Sequence, residues 1–135
     1  MSNHLHVLVN VDEPFELSAV IRDFKKYTSK HILEQIQEEP ESRREWMLNL
    51  FSYAGKQSKS HKTFKFWQAG NHAIEVYSPE FTWDKVNYIH SNPVEEGLVN
   101  CPEDWLYSSA RNYSGEEEVI LEKVICIGRI LQTVK

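Results

Sequence analysis

Four residues at two spacings could do chemistry in this chain. His4 and His6 stand two apart. On an extended backbone that spacing puts both imidazoles on one face, where they can hold a divalent metal with coordination positions left open. Tyr88 and Asn92 stand four apart, which on a helix makes them neighbours on one face. A tyrosine hydroxyl can attack phosphorus, forming a covalent ester and freeing a 3′ hydroxyl. With a pKa of about 10, a free phenol is a weak nucleophile at neutral pH unless a metal polarises the phosphate it attacks. An asparagine amide oxygen beside it could be a third metal ligand. Each pair taken alone also fits a plainer role: a solvated or packed histidine pair, a helix-packing aromatic, a cap before Pro93.

These residues need elements to position them. Leu5, Val7, Val9 and Val11 alternate with His4, His6, Leu8 and Asn10, a pattern that predicts a core strand with Leu5 buried between the two imidazoles. After a turn at Asp12-Glu13-Pro14, Leu17, Val20, Ile21, Phe24, Thr28 and Ile32 recur at threes and fours, predicting an amphipathic helix to about Gln37. Ser42 with Glu45 reads as a capping box for a short helix holding Trp46, Met47, Leu50 and Phe51. His72, Ile74 and Val76 alternate as a second strand, with His72 partly buried. Ser78-Pro79 opens a helix that is expected to stop at Asn92-Pro93. The valine- and isoleucine-rich tail from Glu116 to Lys135 reads equally as strand or helix.

Basic residues form two groups. Lys25, Lys26 and Lys30, extended by Arg22, share one face of the first helix and could contact phosphates. Lys56, Lys59, Lys62 and Lys65 lie in Gly55–Lys65, a stretch without an acid that reads as a mobile loop able to clamp a DNA strand. A solvated face is the alternative for both. Phe66, Trp67 and Trp105 could stack on unpaired bases, with core packing the alternative. Tyr27 is a rival nucleophile by chemistry, but its basic helix suggests packing or a phosphate contact. His90 points away from Tyr88 on the same helix, towards a supporting or surface role.

Composition narrows the class. A chain of 135 residues with 41% hydrophobic and 26% charged residues suits one globular domain. No apolar run reaches the ~18 residues of a membrane span, no secretory signal opens the chain, and two cysteines make no disulfide framework. Cytoplasm is the default expectation. A net charge of −5 argues against indiscriminate polyanion binding and leaves room for a local basic groove.

Several blocks in order carry a resemblance. They are Met-Ser-Asn-His-Leu-His-Val-Leu-Val (1–9), Phe-Lys-Lys-Tyr-Thr-Ser-Lys (24–30), Phe-Trp-Gln (66–68), Tyr-Ile-His-Ser-Asn-Pro-Val-Glu-Glu-Gly-Leu-Val (88–99) and Pro-Glu-Asp-Trp-Leu-Tyr-Ser-Ser-Ala-Arg-Asn-Tyr (102–113). Over residues 1–115, followed by a tail of 116–135, the chain resembles the single-tyrosine HUH transposases, in particular the REP-associated tyrosine transposase branch. The resemblance implies an α+β, ferredoxin-like sandwich of antiparallel sheet and helices. It implies a Mg2+ or Mn2+ ion held by His4, His6 and Asn92, and Tyr88 as nucleophile. It also implies single-stranded or hairpin DNA as substrate and a nucleoid-associated enzyme that cleaves and joins strands. Family members usually carry a longer segment before the paired histidines. A sheet incomplete at its N-terminal end, completed by a homodimer, is therefore expected, with a non-catalytic DNA-binding remnant as the alternative.

Overall fold

The structure, a computed structural model, describes residues 3–59, 63–117, 119–121 and 124–127. They fall into two units, one of Asn10–Ala73 and one of Met1–Val9 with Ile74–Lys135.

In the Asn10–Ala73 unit the helical periodicity is met. α1 is Leu17–Glu38 and α2 is Arg44–Lys56. α1 ends where Glu39 turns extended before Pro40, a residue that disfavours the helical conformation in its predecessor. The orphan carbonyls at the end of α1 are taken up by Arg44, whose Nε donates to Ile36 O at 2.8 Å and whose Nη2 donates to Glu39 O. This bond spans the α1–α2 turn and closes over Ile36, the buried apolar residue of the helix. The expected Ser42/Glu45 capping box does not form. The N-cap of α2 is Arg43, and the Glu41 carboxylate accepts from its backbone N–H at 2.9 Å, so the local acid has displaced the serine.

The segment after residue 62 is anchored on both helices. Lys65 N–H donates to Phe51 O at 2.9 Å, and Trp67 Nε1 donates to Thr28 Oγ1 at 3.0 Å. Phe66 packs on Phe51 with ring centroids 5.1 Å apart, and on Trp67 at 5.3 Å. Gly55 is buried where Thr63 and Phe64 cross α2, and a Cβ there would lie 2.7 Å from Thr63 O. The described parts of Gly55–Lys65 are thus tied down rather than a free loop.

The other unit is built on α3, Pro79–Glu95. Ser78 Oγ accepts from Phe81 N–H at 3.2 Å, the N-terminal cap that the sequence shows, worth about 1 kcal/mol. The helix runs past its expected stop at Asn92-Pro93 to Glu95. In the last turn a proline removes a single helical hydrogen bond, and the chain then closes through Leu98 N–H to Pro93 O at 2.9 Å. Gly97, at φ +69°, takes the left-handed turn that this closure needs. A 3-10 turn, Pro102–Asp104, and α4, Ala110–Ser114, follow. The 3-10 turn packs on both α3 and α4. Leu121 and residues 124–127 attach to α4 through Asn112 Nδ2 to Leu121 O at 2.9 Å and Ile127 N–H to Tyr113 Oη at 3.1 Å, in neither strand nor helix.

The expected α+β, ferredoxin-like sheet is not there. No strand occurs among the described residues: positions 4–11 and 71–77 have no regular secondary structure. Alternation measures only a chain's readiness to bury one face, whereas a strand exists through a ladder partner. Leu5, Val7 and Val9 remain half exposed, with Val7 at 58%, so Leu5 is not the buried spacer that was expected. His72 and Ile74 are exposed as well.

Candidate active site

His4, His6 and Tyr88 belong to one unit and meet. The His4 and His6 rings stand edge to face with centroids 5.0 Å apart. His6 in turn stands edge to face with Tyr88 at 5.6 Å. His4 Nδ1 lies 2.6 Å from Asn3 Oδ1. An amide oxygen only accepts, so Nδ1 of His4 is the donor in this pair. His6 Nε2 is buried and has no hydrogen-bond partner among the described residues. Burial, and then the charge of His4, hold the His6 imidazole below the ordinary histidine value, which favours the neutral ring.

An unpartnered ring nitrogen out of contact with water is costly. A neutral imidazole with a free lone pair is also what a divalent ion requires. The donor set around His6 therefore fits a metal. Among the described residues there is no group of three or more histidine, cysteine, aspartate or glutamate side chains that could hold an ion. Asn92 sits one turn beyond Tyr88 on α3 and is 7% exposed. It belongs to the same unit as the histidine pair.

α3 presents its two polar faces differently. Tyr88 is 49% exposed, whereas His90 is 9% exposed. Two residues along a helix turn a side chain by about 200°, so a phenol facing outward leaves His90 facing inward. There His90 Nε2 meets Ser109 Oγ at 2.8 Å and the ring stands edge on to Tyr113 at 5.1 Å. His90 is therefore an interior anchor of the tyrosine helix.

Lys85, on the face of Tyr88 by spacing, was given no role from the sequence. Its Nζ lies 5.9 Å from the centre of the Tyr88 ring and 4.8 Å from that of Phe81. The i, i+3 spacing of Lys85 and Tyr88 was the available signal. Phe81 itself is stacked on Tyr77 at 5.1 Å, which fixes the surface over which the ammonium lies.

Residues 1–92 match the family model described as Transposase IS200 like. The chain belongs to that transposase family. No curated protein and no solved structure matches it. Both histidines, the tyrosine and Asn92 lie inside the matched span. No helix among the described residues is long and apolar enough to cross a membrane.

Charge in this transposase is divided unevenly. The Asn10–Ala73 unit holds ten of the fifteen basic residues and nine of the twenty acids, a net +1, which leaves −6 for the unit carrying the histidines and Tyr88. Of the lysines expected to contact DNA, Lys25, Lys26 and Lys65 line one cleft in the former unit. Lys30 is exposed and pairs with Glu34 at 3.8 Å. Lys56 and Lys59 are exposed outside the cleft, and Lys62 lies outside the described residues. Tyr27 is exposed and packs against His31 with centroids 4.2 Å apart. Trp105 contacts Tyr107 at 5.9 Å.

Proposed function

We propose that the chain cleaves and rejoins single-stranded or hairpin DNA through a covalent 5′-phosphotyrosine at Tyr88. The observation that carries this reading is the run of three rings, His4, His6 and Tyr88, with the buried nitrogen of His6 unpartnered beside an exposed phenol. In the reaction Tyr88 Oη forms a bond to the scissile phosphorus and the bond from phosphorus to the 3′ oxygen breaks. The phenol gives up its proton through solvent and the released 3′ oxygen gains one, so the step is a transesterification without net hydrolysis. Attack by a 3′ hydroxyl on the phosphotyrosine reverses it and joins ends.

His4, His6 and Asn92 are the residues that would hold a Mg2+ or Mn2+ ion. Bound there, the ion would draw charge from the scissile phosphate. The need for such a cation follows from the net −6 of this unit, which by itself repels a phosphodiester. Lys85 supplies a second positive charge beside the phenol, its Nζ 5.9 Å from the ring centre. His90 holds α3 against Ser109, so that Tyr88 is offered from a fixed helix.

The test is covalent capture. Labelled single-stranded hairpin DNA is incubated with the protein and manganese, beside a Tyr88→Phe variant. Adduct with the parent and none with the variant is the expected result; equal adduct in both defeats the assignment. One observation favours a second reading, of DNA binding without cleavage: no group of three or more histidine, cysteine or acidic ligands occurs among the described residues. Calorimetric titration with manganese separates the two readings. Heat that disappears in a His6→Ala variant supports the enzyme, and no heat with the parent supports the binding protein. A homodimer is proposed alongside either reading, from the half-exposed Leu5, Val7 and Val9, and sedimentation measures it.

A further inference from the structure

One face of α1 and the segment after residue 63 enclose a cleft of about 590 Å³. Arg22, Lys25, Lys26 and Ser29 come from the helix, and Lys65 and the aromatic pair Phe66–Trp67 come from the opposite wall. No carboxylate lines it. Asp23 is drawn out to Arg22 at 2.8 Å on the exposed side of the helix, and it also feels Lys26. If that pair is counted as neutral, three ammonium groups remain around the cleft. The walls are held by bonds that leave those charges in place. Lys25 Nζ donates to Gly70 O at 3.0 Å and lies 5.8 Å from the centre of the Trp67 ring, while Trp67 is pinned to Thr28. Lysine gathered without acids calls for an anion with several oxygens, and an aromatic wall calls for a flat ring beside it. The volume lies in the ~300–1,000 Å³ range of small-ligand sites, the scale of a nucleotide.

We propose that this cleft, built by the unit that does not carry His4, His6 and Tyr88, is a nucleotide-phosphate site that grips an unpaired stretch of strand without need of metal. It rests on the DNA-processing reading above only for the source of the phosphate. The site lies wholly in the unit with net charge +1, a balance that does not repel a polyanion. A free nucleotide has the same chemistry, and the experiment separates the two sources.

The test uses the full chain with EDTA throughout. Fluorescence anisotropy measures binding of labelled oligo(dT), of the same strand paired with oligo(dA), and of oligo(dT) in competition with millimolar ATP. Lys26→Gln/Lys65→Gln keeps both aliphatic stems. Lys30→Gln/Lys56→Gln removes two charges outside the cleft. The parent should bind the single strand at least about tenfold more tightly than the duplex. The cleft variant should lose about tenfold in affinity for the single strand, and the slope of log K against log salt should fall by about 1.4, or ~0.7 for each lost phosphate contact. The control variant should lose under about threefold. Displacement by ATP extends the site to free nucleotides, and no displacement confines it to the strand. Equal losses in the two variants, or equal affinity for duplex, overturn the proposal; matched circular dichroism spectra exclude misfolding. Adduct formation with manganese is read on the same proteins. A parent that binds through the cleft and forms no adduct defeats the cleavage reading alone. A cleft variant that binds as the parent does, where the parent forms adduct, defeats this inference alone.

Discussion

The bond between His90 and Ser109 makes a quantitative prediction about α3. His90 is 9% exposed and its Nε2 lies 2.8 Å from Ser109 Oγ. In Ser109→Ala the ring nitrogen stays buried and loses its partner, a cost of about 1–3 kcal/mol. His90→Ala also removes the edge contact with Tyr113 at 5.1 Å, which adds about 0.5–1.5 kcal/mol, so the total should be about 2–4 kcal/mol. The double variant should cost less than the two singles together, with a coupling of about 1 kcal/mol. His90→Gln, which keeps a side-chain amide able to reach the hydroxyl, should recover part of the loss. Urea unfolding followed by tryptophan fluorescence measures all four proteins, with the same denaturant slope throughout if only stability has changed. Additive single costs, or a Ser109→Ala cost below about 0.5 kcal/mol, would show that the two side chains merely lie side by side.

Three further outcomes follow from features already described. Gly55→Ala should destabilise the Asn10–Ala73 unit by about 1–3 kcal/mol, seen in thermal unfolding, because its Cβ would press on Thr63 and Phe64 backbone at 2.7–3.1 Å; the gain in helix propensity, at most about 1 kcal/mol, does not offset this. Lys85→Met should leave DNA affinity nearly unchanged and slow Tyr88 adduct formation about five- to tenfold in single turnover, the loss of roughly 1 kcal/mol from a cation beside the ring; an unchanged rate rejects the role of Lys85. Burial holds the His90 imidazole below its ordinary value of 6.5, with Glu103 pulling weakly the other way. The unfolded chain therefore takes up the proton first as pH falls, and stability should decline from about pH 7.5 to 5.5 and be flat above. His90→Gln should reduce that slope in urea titrations at several pH values, and an identical slope removes His90 as its source.

The helices were legible because their signals are local. Leu17, Val20, Ile21 and Phe24 repeat at the helical period, and Ser78-Pro79 is a cap that works within three residues. The sheet was not legible, because alternation at His4–Val11 reports a preference for a partner without saying that one exists. Pro93 misled for a related reason: the rule that a proline breaks a helix concerns interior turns, and this one falls in the last turn. At the candidate site, the meeting of His4 and His6 with Tyr88 matches the residues singled out by type and spacing. The partnership of His90 with Ser109 spans nineteen positions and no local pattern encodes it. The basic residues were legible as a set, but only the path of residues 63–70 along α1 sorts Lys25, Lys26 and Lys65 from Lys30, Lys56 and Lys59.

The opposed placement of Tyr88 and His90 on α3 restricts how the phenol can be aimed. Rolling the helix to swing the hydroxyl towards a phosphate would drag the imidazole off Ser109 and away from Tyr113, so the backbone offers no such adjustment. The reach of the hydroxyl is then set by its own two side-chain torsions, a narrow cone swept from a fixed pivot. In the cleavage proposed above, a strand entering at the wrong angle would itself have to bend, which would make flexible unpaired DNA easier to process than a stiff duplex before any base is read.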